Sequence, residues 1–221
     1  MGRILNSILI SRWTKAVAFA VCLVPLAALA GRALQGELGA NPIEFITHAT
    51  GDWTLRFLVI TLAVTPLRKL LRLPQLIRFR RMLGLFAFFY AFLHFSTWIV
   101  LDQFFDWRGM LKDVEKRPFI TVGFTAFALM IPLAVTSTAG WIRRLGGRRW
   151  QWLHRLIYAS AILGVIHYYW LVKSDERKPL EYAWMVGILL AWRVGSWMVG
   201  KWHRPASGAL SAKGPVTAET A

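Results

Sequence analysis

RRWQWLHRLIYASAILGVIHYYWLVK, residues 148–173, has the length and composition of a membrane-spanning helix with a histidine near each end, His154 and His167. On a straight helix the two imidazoles lie ~20 Å apart along the axis, most of a hydrocarbon core roughly 30 Å thick. Ionisable side chains at such depth are costly and are usually kept for function. The surrounding chain agrees with a membrane setting. Its 221 residues are 56% hydrophobic with a mean hydropathy of +0.45, well above a soluble domain. The net charge of +16 comes from short basic clusters between apolar runs, the pattern of juxtamembrane anchors rather than of a nucleic-acid-binding face. Cys22 is the only cysteine, which excludes disulfide frameworks, thiolate zinc sites and cysteine-ligated iron–sulfur clusters.

Working outward, six apolar segments of spanning length can be drawn, at about 16–34, 53–70, 82–101, 118–136, 150–172 and 182–200. The first resembles a signal peptide, but five further segments follow and it fits as the first span. Basic residues mark alternate ends. Sixteen of them, against the single acid Glu219, fall in the N-terminus, the second and fourth connections and the tail; the other three connections hold eight basic residues and ten acids. By the positive-inside rule both termini are cytoplasmic. The expected fold class is therefore an all-α integral membrane protein, a six-transmembrane helix bundle over 16–200. Residues 1–15 are a cytoplasmic N-terminus, and 201–221, rich in Ala, Ser, Gly and Pro, a disordered cytoplasmic tail. No G-x-G-x-x-G motif is present to bind a dinucleotide, so electrons, if carried, come from another molecule.

The third and fifth segments run in the same direction, so depths along them compare directly. His94 and His167 both fall in the outer half, and neutral imidazoles from facing helices can supply both axial positions of one haem iron. His154 lies near the cytoplasmic end, where a second haem would need a partner on the third segment; Arg80 or Arg81 stands there instead. Thirteen residues also turn His154 and His167 roughly 140° apart on a straight helix, so two haems require different flanks or a distorted helix. One haem is better supported than two. Single intramembrane histidines also occur as packing residues that hydrogen-bond across helices. His48, in the first outer connection, is a candidate outer-site residue, whereas His203 in the tail is not. Arg56, Arg155 and Arg193 lie within or beside spans and must snorkel or meet an anion. Arg56 suits the propionates of an outer haem, and Arg80 and Arg155 suit an inner site.

The segments GANPIEFITHATGDWTLRF, LAVTPLRK, RFRRMLGLFAFFYAFLH, KRPFITVG, RRWQWLHRLIY and IHYYWLVK, in this order, resemble the haem-binding membrane subunit of bacterial periplasmic protein-methionine-sulfoxide reductases, the MsrQ or YedZ family. More distantly the chain is similar to ferric reductases and the membrane part of NADPH oxidases. The resemblance implies a b-type cytochrome of the bacterial inner membrane that takes electrons from the quinol pool, or from a flavin on the cytoplasmic side. It implies as partner a periplasmic molybdopterin-containing catalytic subunit, forming a heterodimer that reduces methionine sulfoxide in oxidised proteins. His94, His154 and His167 match the family's haem histidines. Bound FMN is implied by the resemblance alone, with no residue to assign to it.

Two other functions fit the same residues. A self-contained quinone-fed or ferric reductase would reduce a small acceptor at the outer face. A non-redox membrane protein would use the histidines only for packing.

Overall fold

The computed structural model describes residues 10–172 and 176–202. Most of the expected N-terminal segment, Lys173, His203 and the expected tail beyond Trp202 lie outside them. Among the described residues there are nine α-helices and no strand: α1 (Arg12–Leu34), α2 (Pro42–Leu70), α3 (Ile77–Thr97), α4 (Trp107–Lys116), α5 (Pro118–Val135), α6 (Ala139–Leu145), α7 (Gly147–Leu153), α8 (Leu156–Leu171) and α9 (Arg177–Trp202).

Local chemistry explains the boundaries. Asn41 caps α2 by accepting from the Glu44 N–H and returning its own amide to the Glu44 carboxylate, with Pro42 at the first helical position. Asp106 and Thr138 cap α4 and α6 by accepting from the Arg108 and Trp141 N–H groups, and Pro118 starts α5. After α3 the helix widens into a π turn over Trp98–Asp102, and the chain reverses through Phe104 and Phe105, both at positive φ.

Among the described residues four helices are long and apolar enough to cross a membrane: α1, α3 with its flanking turns (74–102), α5 and α9. α2 has the length, but Asp52 and Arg56 interrupt its apolar run. α8 has only 16 residues. The single helix expected over 150–172 is in fact two, because the chain breaks at His154–Arg155. There the Arg155 N–H turns back to the Trp152 carbonyl and α8 begins only at Leu156. Both histidines were expected on one straight helix, and the 140° phase between them does not apply across this break.

α2 packs along α3 and α5 along α8; α3 and α5 join the two pairs, and α9 closes over α8 and α2. The core between them is close-packed, with Leu58, Leu62, Ala87, Tyr90, Ser160 and Ala161 almost wholly enclosed. Tyr90 enters the helical ladder of α1 beside Pro25, accepting from the Leu26 N–H (3.2 Å) and donating to the Cys22 carbonyl (2.9 Å). This repairs a helix weakened by the proline, as dry surroundings require. The outer faces are apolar. Trp13, Val17, Val21 and Val24 on α1, and Trp184, Ile188 and Trp197 on α9, are all more than half exposed. Apolar faces of that extent on a water-soluble monomer would be a liability, and against lipid they are the expected surface. The protein is a multi-pass, all-helical membrane protein.

Candidate functional site

α3 and α8 bring His94 and His167 together, edge to face. Their ring centroids are 6.1 Å apart with the planes inclined by 74°. Each ring is fixed from behind by a neighbouring helix. His94 Nδ1–H donates to the Thr47 carbonyl of α2 (2.9 Å), and His167 Nδ1–H donates to the Phe119 carbonyl of α5 (2.7 Å). A carbonyl can only accept, so both rings carry the proton on Nδ1 and keep the lone pair on Nε2. That is the tautomer of a metal-bound histidine held by an outer-shell acceptor.

The spacing admits an iron between them. Two metal–imidazole bonds of about 2.0 Å plus the distance from each nitrogen to its ring centre place the centroids about 6 Å apart, in agreement with the observed pair. No group of three or more His, Cys, Asp or Glu side chains able to hold a metal gathers among the described residues. The pair alone therefore suits a metal that brings its equatorial ligands with it, as haem iron does. His94 and His167 are both half-buried residues.

His154 lies apart from this pair, in the break between α7 and α8. Thr136 commits its one hydroxyl hydrogen to the Pro132 carbonyl (2.6 Å), so the 3.1 Å contact with His154 is Nε2–H donating to the Thr136 oxygen. Trp150 covers the imidazole, with centroids 3.9 Å apart, and its indole N–H donates to the Thr136 carbonyl at 2.9 Å. His154, Trp150, Ser137, Arg80, Arg81 and Phe88 line a cavity of about 240 Å³, apolar over most of its wall and basic on one side. Arg80 is half-buried there. Phe88, on the cavity wall, stacks on Phe127, which stacks in turn on Phe95, the residue that follows His94 in α3.

The other residues singled out by sequence fall elsewhere. Arg56 is ion-paired with Asp52 at 2.6 Å, lies over the Trp53 ring and donates from Nε to the Tyr182 hydroxyl (3.4 Å), so its charge is already matched within the chain. Tyr182 in turn donates to the Asp52 carboxylate at 2.6 Å. Arg193 points inward from α9 to Tyr158, the Leu62 carbonyl and Thr65 instead of snorkelling outward. Arg155 and His48 are exposed. The structure thus joins His94 with His167, places Arg80 beside His154, and leaves Arg56, Arg155 and His48 outside both groups.

Sequence reasoning missed Thr47 and Phe119, which act through backbone carbonyls that no side-chain pattern reveals. It also missed Asp52, Thr136 and Tyr182. The i,i+4 spacing of Asp52 and Arg56, and of Trp150 and His154, was the only available sign.

Residues 50–165 match the family model described as ferric reductase like transmembrane component, a range that includes His94 and His154 and ends two residues before His167. The chain is 59% identical over 182 residues, 81% of its length and 84% of the relative's, to the protein-methionine-sulfoxide reductase heme-binding subunit MsrQ of Herminiimonas arsenicoxydans. It is 50% identical over 212 residues, 94% of its length and 96% of the relative's, to the protein of the same name from Ralstonia nicotianae. A third such subunit, from Caulobacter vibrioides, is 52% identical over 173 residues, 78% of this chain and 82% of that one. With matches of this extent, and with a histidine pair spaced for haem iron, the chain belongs to the MsrQ family of haem-binding membrane subunits, within the ferric reductase-like transmembrane proteins.

Proposed function

We propose that this protein is the b-type cytochrome subunit of a protein-methionine-sulfoxide reductase in the bacterial inner membrane. It spans the membrane six times with both termini in the cytoplasm. Electrons enter from the quinol pool, or from a cytoplasmic-side flavin, and leave to a periplasmic molybdopterin-containing subunit that reduces methionine sulfoxide in oxidised proteins. The observation that carries this reading is the His94–His167 pair, 6.1 Å apart, with both Nδ1–H groups committed to carbonyls.

In this reading His94 and His167 would hold the iron, each through the Nε2 that its Nδ1–H bond leaves free. The Thr47 and Phe119 carbonyls hold the ring orientation and raise the basicity of the bound nitrogens. Haem held by His94 and His167 would supply one-electron exchange. The basic, largely apolar cavity at His154 and Arg80 receives the electron donor: its wall suits a quinone or flavin ring, and its arginines suit an anionic or carbonyl-bearing group. FMN rests on family membership, and no residue is assigned to it.

The purified protein, reduced with dithionite, is expected to show the sharp bands of a low-spin b haem. His94→Ala and His167→Ala should each abolish or shift them, while His154→Ala should leave them in place. A colourless protein after expression with ample haem would overturn the cytochrome reading. Reoxidation only when the periplasmic subunit and a methionine sulfoxide substrate are both added supports the assigned partner; rapid reoxidation by ferric chelates alone would favour a self-contained reductase.

A further inference from the structure

Behind each ring of the histidine pair lies one bare helical turn. On α2 the turn runs from Thr47, whose carbonyl takes the His94 proton, to Gly51; a Cβ at Gly51 would stand 3.1 Å from both Nδ1 and Cε1 of His94. On α5 it runs from Phe119, whose carbonyl takes the His167 proton, to Gly123. A Cβ there would stand 2.5 Å from Nδ1, 2.8 Å from Cε1 and 3.0 Å from Cγ of His167. The two arrangements are the same: a carbonyl at position i and a glycine at i+4, on the helix antiparallel to the one that carries the histidine. They occur in the two most extensively packed helix pairs, α2 with α3 and α5 with α8.

Ordinary packing does not account for this. Gly31 and Gly187 also lie within helices, yet a Cβ at either would meet nothing within 4 Å. Gly164 is crowded, but by the flexible end of Leu55, at 3.2 Å. Among the glycines of the described residues, only Gly51 and Gly123 have an imidazole in the place of the missing side chain.

We propose that Gly51 and Gly123 are positioning residues, each the floor of a seat in which a helical turn holds one iron-binding imidazole by its Nδ1–H and by direct contact with its ring. The inference rests on the haem reading and adds to it what fixes the ligands. The carbonyl anchors one ring atom, and the glycine lets the ring lie against the turn, so together they set the angle between the two ligand planes. The seats are unequal. Ordinary van der Waals contact begins at 3.4 Å, so a methyl group at Gly51 overlaps by about 0.3 Å and one at Gly123 by about 0.9 Å. The first can be met by a small tilt of His94. The second exceeds what a metal–nitrogen bond of about 2.0 Å can absorb by stretching, so His167 must leave either its carbonyl or the iron.

The test uses the full-length protein in detergent, with Gly51→Ala, Gly123→Ala, and Gly164→Ala and Gly187→Ala as controls. The readouts are the dithionite-reduced spectrum, haem content per protein, and the EPR g values of the oxidised form, which report the angle between axial ring planes. Gly123→Ala is expected to lose the low-spin signature or retain haem about tenfold or more less tightly, the scale of other losses behind a metal ligand. Gly51→Ala is expected to stay low-spin with shifted g values and midpoint potential. Gly164→Ala, whatever it does to stability, should keep the g values of the parent, as should Gly187→Ala.

Parental g values in both Gly51→Ala and Gly123→Ala, or equal shifts in the controls, would overturn the proposal. If Gly123→Ala does not accumulate, Gly51→Ala decides alone: shifted g values support the seat and unchanged ones refute it. A parent protein without low-spin haem would instead defeat the cytochrome reading, so the two failures are distinct.

Discussion

Asp52→Asn should loosen the docking of α9 onto α2. The carboxylate accepts from Tyr182 on α9 at 2.6 Å and pairs with Arg56 on its own helix at 2.6 Å, so one residue ties two helices and compensates one cation. At an effective dielectric near 20, charge centres ~4 Å apart attract by about 4 kcal/mol before solvent is counted. The Arg56 side chain is 47% exposed and that of Asp52 24% exposed, so screening reduces the pair to about 1 kcal/mol. The Tyr182 bond, made to a charged acceptor in a more enclosed place, adds about 1.5 kcal/mol. Asn keeps the shape and a neutral acceptor, which puts the loss for Asp52→Asn at about 1–2 kcal/mol. Tyr182→Phe should lose about 1–1.5 kcal/mol. Because Asp52→Asn weakens and Tyr182→Phe removes the same bond, the double variant should lose less than the sum by roughly 0.5–1 kcal/mol. The assay is reversible unfolding in mixed micelles, followed by tryptophan fluorescence. Strict additivity in this cycle would refute the bridge.

Three further outcomes follow from particular contacts. Tyr90→Phe removes the hydroxyl that bridges Cys22 and Leu26 in α1, and should cost about 1 kcal/mol in the same unfolding assay, limited because the two backbone groups can close on each other. Ser160→Ala deletes a wholly buried bond to the Ala126 carbonyl (2.8 Å) and leaves that oxygen one partner poorer, with an expected loss of about 1–2 kcal/mol by the same measurement. Thr136→Val takes the acceptor from His154 Nε2–H. It should slow reduction by a soluble quinol analogue in stopped-flow absorbance while leaving the dithionite-reduced spectrum unchanged, and loss of the low-spin bands in this variant would contradict the separation of the two groups.

The all-helical class and the apolar character are legible in the sequence because lipid demands long apolar runs with internally satisfied backbones. The nearness of His94 and His167 is legible too, since depth can be counted from the basic clusters that bound each run. What fails is anything that depends on helix continuity. Nothing in Trp152-Leu153-His154-Arg155 is a helix breaker by composition. The break there is a tertiary effect, accompanied by Trp150 binding the backbone carbonyl of Thr136 and His154 its hydroxyl. Arg56 illustrates a second limit. Its acidic partner is visible four residues earlier, but the tyrosine that locks the pair comes from α9, more than a hundred residues away.

The three membrane histidines are one residue type in two chemical forms, and the helix break sorts them. His94 and His167 meet carbonyls, which accept only, and so are held with Nε2 free to bind a metal. His154 meets a hydroxyl whose hydrogen is already committed to Pro132, and so is held with Nε2 as the donor. An iron at His154 Nε2 would first have to displace Thr136, whereas an iron between the other two displaces no hydrogen bond at either Nδ1. The interruption that shortens α8 to 16 residues therefore has a chemical consequence: a hydrogen-bonding imidazole stands at the basic cavity, while His94 and His167 meet within α3 and α8.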